Sequence, residues 1–212
     1  MTSPESARRS YESVQARRTQ LLQAAVRVMG RIGVAAASTR AITAEAGLPH
    51  GSFHYCFGTK EKLLEELFRL EVNDVATQLA SHLPTSGTLR ERLELTLRAE
   101  LERVKRDPDR QHVMLDLTAT AHSTPALAEL PGWEHDRYLQ IVRENLVSSA
   151  GSHDRRAERL AVLVVAGMRG IVAAWLARGP QHDDAEAEAE RSIHDLALAL
   201  VLFEGEASAD GS

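Results

Sequence analysis

Between Ser38 and Leu64 the chain reads STRAITAEAGLPHGSFHYCFGTKEKLL, and this order of caps, breakers and apolar residues points to two short helices, a tight turn between them and the start of a third. Ser38 supplies an N-cap, and Ile42 and Ala46 lie four apart on one inward face. Gly47 ends that helix, because a residue without a Cβ enters the left-handed region cheaply and lets the chain reverse. Leu48 then plugs the core, and Pro49 stands where the first turn of the next helix opens. That helix, predicted from His50 to Tyr55, carries Gly51 and Ser52 on an outer face with little bulk, while Phe53 and Phe57 point inward. A small-residue face lets a helix backbone approach another body closely. In a helix-turn-helix that body is the floor of the DNA major groove.

The remainder of the chain reads as further helices. Leu21, Ala25, Val28 and Ile32 share one face of a first helix from about Val14 to Ile32, with Gly33 as its stop. Thr59 caps a long fourth helix to about Ser81, whose Leu63, Leu67, Phe68 and Leu70 tie the helix-turn-helix to the rest of the chain. Thr88 with Glu91 forms a capping box for a fifth helix lined by Leu89, Leu93, Leu97, Leu101 and Val104. A sixth helix is predicted from Pro108 to Ala121, and TPALAELPG as a loop or short helical turn. A seventh runs from about Gly132 to Ser149 with Tyr138, Ile141, Val142 and Leu146 inward, an eighth from Asp154 to Arg178, and a ninth from about Ala185 to Phe203. The acidic run from Asp183 favours the positive end of that last helix. No β-like alternation of useful length appears. The expected tails, Met1 to about Ser6 and Glu206 to Ser212, read as disordered.

Charge is distributed unevenly. Residues 1–60 carry eight Lys and Arg against three acids, a net +5, which leaves −10 on residues 61–212 of a chain whose net charge is −5. A phosphate-seeking head on an acidic body that DNA repels fits this asymmetry. The single cysteine rules out an intramolecular disulfide framework, and MTSPESARRS has no apolar signal region, so a cytoplasmic location is expected. The longest apolar run, Ala161 to Met168, is too short to span a bilayer and reads as a buried helix.

The first third of the chain resembles the tetracycline-repressor (TetR) family of transcriptional regulators. The matches are Arg40, Ile42, Ala46, Gly47, Gly51, Ser52, Phe53, Phe57, Thr59, Lys60, Glu61 and Leu63. Three residues depart from the family pattern: His54 replaces a Tyr whose hydroxyl reaches a phosphate, Cys56 replaces His or Tyr, and Thr43 replaces Ala. The resemblance implies an all-α protein of about nine helices. A three-helix DNA-binding domain at 1–58 would precede a ligand-binding and dimerisation domain at 59–212. It further implies a non-enzymatic, ligand-responsive regulator, most simply a repressor, that binds a palindromic operator as a homodimer.

The DNA-facing candidates follow from the motif. Arg40, His50, Gly51, Ser52 and Tyr55 are placed to reach base edges, and Thr39, His54 and Lys60 to reach phosphates, with Arg17 and Arg18 adding backbone contacts and Arg8 and Arg9 forming a loose arm. Leu160, Val164, Ile171, Ile193, Leu196 and Leu200 form stripes on the last two helices that suit a four-helix interface between two copies, or alternatively an ordinary intrachain core. Because one helix-turn-helix reads only a half-site, the dimer is favoured.

Phe68, Leu97, Leu101, Met114, Leu117, Trp133, Tyr138, Met168 and Trp175 lie on helices that enclose a ligand cavity in the family. Such aromatic and Met side chains suit a small hydrophobic effector with one or two polar handles, and Asp116 or Glu100 could pair with a cationic group. Asp109, His112 and Asp116, with His122 nearby, have a spacing seen among metal ligands, but helix-start Asp and exposed His are common, so neither metal nor cofactor is assigned. Cys56 beside the reading helix is read as an inert thiol.

The competing reading is an all-α small-molecule-binding protein or enzyme with a degenerate DNA reader. No Gly-x-Ser-x-Gly elbow, P-loop, Glu-x-x-His pair or His-Glu-x-x-His motif supports catalysis. A sequence-nonspecific architectural protein would require a basic body, and this body is acidic.

Overall fold

The structure, a computed structural model, describes residues 4–82, 87–146, 155–179 and 181–209. In chain order these form α1 (Pro4–Ile32), α2 (Thr39–Glu45), α3 (Gly51–Cys56), α4 (Lys60–His82), α5 (Leu89–Arg106), α6 (Pro108–Ser123), a 3-10 turn (Pro125–Leu127), α7 (Leu130–Leu146), α8 (Arg155–Arg178) and α9 (Asp183–Ala209). No strand occurs among the described residues. The protein is all-α.

The caps lie where their chemistry predicts. Ser38 Oγ accepts from the Ala41 amide at 3.1 Å, and Gly47 takes φ 65° after α2. Thr59 Oγ1 accepts from the Lys62 amide at 3.2 Å. The box opening α5 is reciprocal: the Glu91 amide donates to Thr88 Oγ1 at 3.3 Å and the Thr88 amide to Glu91 Oε2 at 2.8 Å.

Several boundaries are corrected. α1 starts at Pro4 rather than Val14, so Arg8 and Arg9 belong to a helix and not to a loose arm. Pro suits a first helical turn, and no Gly or further Pro stands between Pro4 and Val14 to stop propagation. For the same reason α7 opens at Leu130 with Pro131 in its first turn. α9 continues through Glu206–Ala209, past the predicted stop at Phe203. The predicted ends at Ser149 and Asp154 lie outside the described residues, as do residues 1–3 and 210–212 of the predicted tails.

Packing divides the chain into two compact units: Met1–Glu71 with Asp109–Pro131, and Val72–Pro108 with Gly132–Ser212. The first thus includes α6 and the earlier part of α4 as well as the motif that ends near residue 58. Its buried residues include Leu21, Ala25 and Val28 of α1, Ile42, Phe53, Leu63, Leu67, Phe68 and Leu117. Two predicted inward residues are exposed, Ile32 at the end of α1 and Leu70 on α4. The buried stripe of α4 runs through Phe68, Val72, Val75 and Leu79, a helical period that rotates away from Leu70.

The second unit is cored by Leu93, Leu97, Leu101 and Val104 of α5, Leu139 and Val142 of α7, Leu160, Val164, Val172 and Trp175 of α8, and Ala189, Ile193, Ala197 and Leu200 of α9. Helices α8 and α9 approach closely where Gly167 faces Leu196. A Cβ at Gly167 would fall 2.4 Å from Leu196 Cδ2.

Candidate nucleic-acid interface

Helix α3 is anchored from beneath and bare above. Phe53, Cys56 and Phe57 are buried, with the Phe53 and Phe57 rings 5.8 Å apart. On the outer side His50, Gly51, His54 and Tyr55 are exposed, Tyr55 at 67%, and Ser52 is half-buried. An exposed phenol on a six-residue helix does nothing for the core, which leaves it available to a partner. A Cβ on Gly51 would meet no atom within 4 Å, so the chain's own packing does not require glycine there. Arg40 on α2 and Arg17 on α1 are exposed, and Thr39 at the start of α2 is half-buried.

Two candidates are committed to holding the frame. The Arg18 guanidinium pairs with the Glu66 carboxylate, donates to the Cys56 carbonyl and lies 4.6 Å from the centre of the Phe57 ring. It therefore ties α1 to the end of α3 and to α4. Lys60 Nζ donates to the Val34 carbonyl at 2.7 Å and the Ala35 carbonyl at 3.2 Å, and burial pushes its pKa down against the opposing pull of Glu61 and Asp116. In the isolated chain its ammonium supports the loop before α2.

The departures from the family pattern also find places. Thr43 is buried with its hydroxyl turned back to the Thr39 and Arg40 carbonyls, both at 3.1 Å, so its polar atom is satisfied within α2. Cys56 is buried, and desolvation pushes its thiol pKa up, which keeps the unreactive protonated form. His54 Nδ1 lies 3.0 Å from the Gly58 carbonyl oxygen, and the His50 and His54 rings meet edge to face at 5.1 Å.

Other supporting residues were missed by sequence reasoning. Gln20 Nε2 donates to the Ala46 carbonyl at 2.6 Å, closing the end of α2. Glu45 accepts from Arg27 at 2.7 Å and Arg31 at 2.6 Å, and these bonds hold its carboxyl below the usual range. Asp116 Oδ2 accepts from the Val34 amide at 2.7 Å, a bond spanning 82 residues of sequence that no local pattern signals. Asp109, His112 and His122 are exposed on α6, and among the described residues no three His, Cys, Asp or Glu side chains form a group that could hold a metal.

The effector candidates divide between the units. Phe68 and Leu117 are fully buried, and Met114 half-buried, in the first. In the second, Leu97, Leu101 and Trp175 belong to the core, Tyr138 and Met168 pack against it, and Trp133 is half-buried. Tyr138 lies among Glu100, Glu134, Arg103 and Arg169, with the Arg169 guanidinium 5.9 Å from its ring centre. Burial first, and the two acids next, drive its phenol pKa well above the usual range. Arg169 also pairs with buried Glu134 at 3.2 Å. Trp175 borders a crevice of only about 10 Å³ between α8 and α9.

The dimer candidates lie largely in the chain's own core. Leu160, Val164, Ile171, Ile193 and Leu200 are 0–8% exposed, and half-buried Leu196 packs against the same core. Most of the surface of the first five is buried within the chain. Among the described residues, the large apolar side chains left outside on α8 and α9 are Val162, Leu163, Leu198, Leu202 and Phe203, and exposed Ala166, Gly170, Ala173 and Ala174 also lie on α8.

Comparison with known proteins gives two family matches: bacterial regulatory proteins of the tetR family over residues 21–67, and the C-terminal region of BetI-type transcriptional repressors over residues 89–198. The chain is 30% identical over 183 residues to the HTH-type transcriptional regulator BetI of Vibrio campbellii, covering 80% of this chain and 85% of that one. Its fold is similar to a TetR-family regulator from Mesorhizobium loti, with TM-score 0.74, 17% identity and coverage of 90% and 97%. It is also similar to a transcriptional regulator from Rhodococcus sp. Rha1, with TM-score 0.72, 20% identity and coverage of 87% and 96%.

Proposed function

This chain belongs to the TetR family of bacterial regulatory proteins, and from that premise we propose that it is a cytoplasmic one-component repressor whose homodimer binds a near-palindromic operator and is released by a small, largely apolar effector. The observation that carries the reading is the bare outer face of α3, with exposed His50, Gly51, His54 and Tyr55 and with Arg40 on α2, set on a buried Phe53–Phe57 base in the basic part of the chain. Arg40, Ser52 and Tyr55 are assigned to base edges, and Arg17, Thr39 and His54 to the phosphate backbone. Arg18 and Lys60 act chiefly by fixing the reading helices.

The homodimer is assigned to the outer faces of α8 and α9. Val162, Leu163, Leu198, Leu202 and Phe203 expose 37–59% of their surface, and such side chains on two adjoining helices gain by burial against a second copy. By length and composition Glu158–Arg178 could also cross a membrane, with mean hydropathy 2.1. Arg169 in its middle, paired with Glu134, favours cover by protein instead.

The effector is assigned to the α5, α7 and α8 part of the body, where Leu97, Leu101, Trp133, Tyr138, Met168 and Trp175 supply the apolar wall. The charged groups around Tyr138 would meet a polar handle. Effector binding needs only a preference for the non-binding state, and a coupling of about 1–3 kcal/mol releases the operator by 5- to 150-fold. α4, which contributes to both packing units, is the element assigned to carry the change. A mobility-shift selection from genomic fragments, repeated with candidate effectors, tests the reading. Recovery of one class of near-palindromic duplex supports it, and indiscriminate retention of fragments contradicts it.

A further inference from the structure

This inference rests on the operator-binding reading and concerns His54. Its ring is exposed on the outer side of α3, with Nδ1 3.0 Å from the Gly58 carbonyl oxygen. A carbonyl can only accept, so Nδ1 carries the proton in that bond, and in the neutral ring Nε2 is left as an acceptor. The Gly58 amide returns a bond to the His54 carbonyl at 3.1 Å. With φ 75° at Gly58, a conformation that favours glycine, the turn closing α3 fixes both the tautomer and the ring's direction.

A phosphate oxygen also only accepts. Neutral His54, held in this tautomer, would present a lone pair where a donor is needed, whereas the imidazolium presents both a donor and a positive charge. We propose that His54 is a protonation-linked phosphate contact: binding the duplex draws a proton onto Nε2, which ties operator affinity to pH.

The surroundings leave that role to the DNA. The ring's neighbours are His50, edge to face at 5.1 Å, the Phe53 ring at 5.9 Å and the Gly58 carbonyl. Among the described residues no carboxylate or cation of α1, α2 or α4 hydrogen-bonds, ion-pairs or stacks with His54. Among the described residues, then, no acid in contact holds the added proton, and the phosphate supplies the opposite charge. Among the described residues, His50 is the titratable side chain that meets the ring, edge to face. Since binding takes up a proton, affinity falls as pH rises.

The test uses the full-length protein and a duplex selected from a randomised pool by the wild type at pH 6.5. Its dissociation constant is read by fluorescence anisotropy from pH 6 to 8 at fixed salt. The wild type should lose about three- to tenfold in affinity across that range. Its salt dependence should be steeper at pH 6, by about 0.9 in log–log slope for each additional phosphate neutralised. His54→Gln, whose amide keeps an N–H donor at every pH, and His54→Tyr should both give flat profiles, while His50→Gln should keep the slope. Calorimetry in two buffers of different ionisation enthalpy should show proton uptake on binding that His54→Gln removes. A pH-independent wild type, or a slope that survives His54→Gln, overturns the proposal. So does a slope that disappears in His50→Gln alone. Failure of the wild type to select any duplex would instead overturn the operator reading.

Discussion

The Asp116 carboxylate on α6 accepts a hydrogen bond from the Val34 amide at 2.7 Å, while the Val34 carbonyl takes one from Lys60 at the start of α4, also at 2.7 Å. Val34 is fully buried between α1 and α2, so both polar groups of one loop residue depend on side chains from distant helices. Asp116→Ala should cost about 1–3 kcal/mol, because it leaves a buried N–H without an acceptor. Asp116→Asn, which keeps a carbonyl oxygen, should recover most of that. Urea unfolding of the three proteins checks the order, and equal losses in Ala and Asn variants would count against it.

Lys60→Met should lower stability for the same reason and weaken operator binding without changing which sequence is preferred, since Lys60 shapes the frame that presents α2 and α3. Affinity for the selected operator and for single-base variants of it decides this. A shift in preference at one base pair would assign Lys60 to direct reading.

Charge placed on the two sides of α8 should have different consequences. Leu163→Glu, on the outer face, should yield folded monomers. Ile171→Glu, on the inner face, should unfold the body, because an unpaired buried charge costs several kcal/mol. Sedimentation with far-UV circular dichroism separates the outcomes, and a Leu163→Glu variant that remains dimeric would place the interface elsewhere.

Acid should loosen the joint between α1 and α2. Hydrogen bonds from Arg27 and Arg31 hold Glu45 below its ordinary pKa of 4.5. The stabilisation is therefore present above that value and is lost as pH falls through the lowered one. Glu45→Gln should be less stable than wild type at pH 6, and the gap should close as pH falls through the lowered pKa of Glu45. The gap is expected to be small because the pair is exposed. A gap that does not close in acid would place its cause outside this ion pair.

The sequence was most legible where the deciding physics is local. Ser38, Gly47, Thr59 and the Thr88–Glu91 box act within four residues of themselves, and each is found at its helix end. Phe53 and Phe57 turn inward as their spacing predicts, leaving the outer side of α3 exposed. What escaped was long-range. A stripe of apolar residues on α8 and α9 does not say whether a partner helix comes from the same chain or from another copy. Leu160 and Ile193 proved to face their own chain, while Leu163 and Leu202 face outward. Arg18 and Lys60 matched positions suited to phosphate, yet Glu66 and Val34, which engage them, are 48 and 26 residues away. Only folding shows those partners.

The central claim is that α2 and α3 read DNA sequence, and it is tested most directly by measuring affinity for a selected near-palindromic duplex against random duplex at about 0.15 M salt. The account predicts at least about a thousandfold preference for the selected duplex. Arg40→Ala should relax discrimination at one base pair in each half-site by about 1–3 kcal/mol. Equal affinity of the wild-type protein for the selected and random duplexes would contradict it.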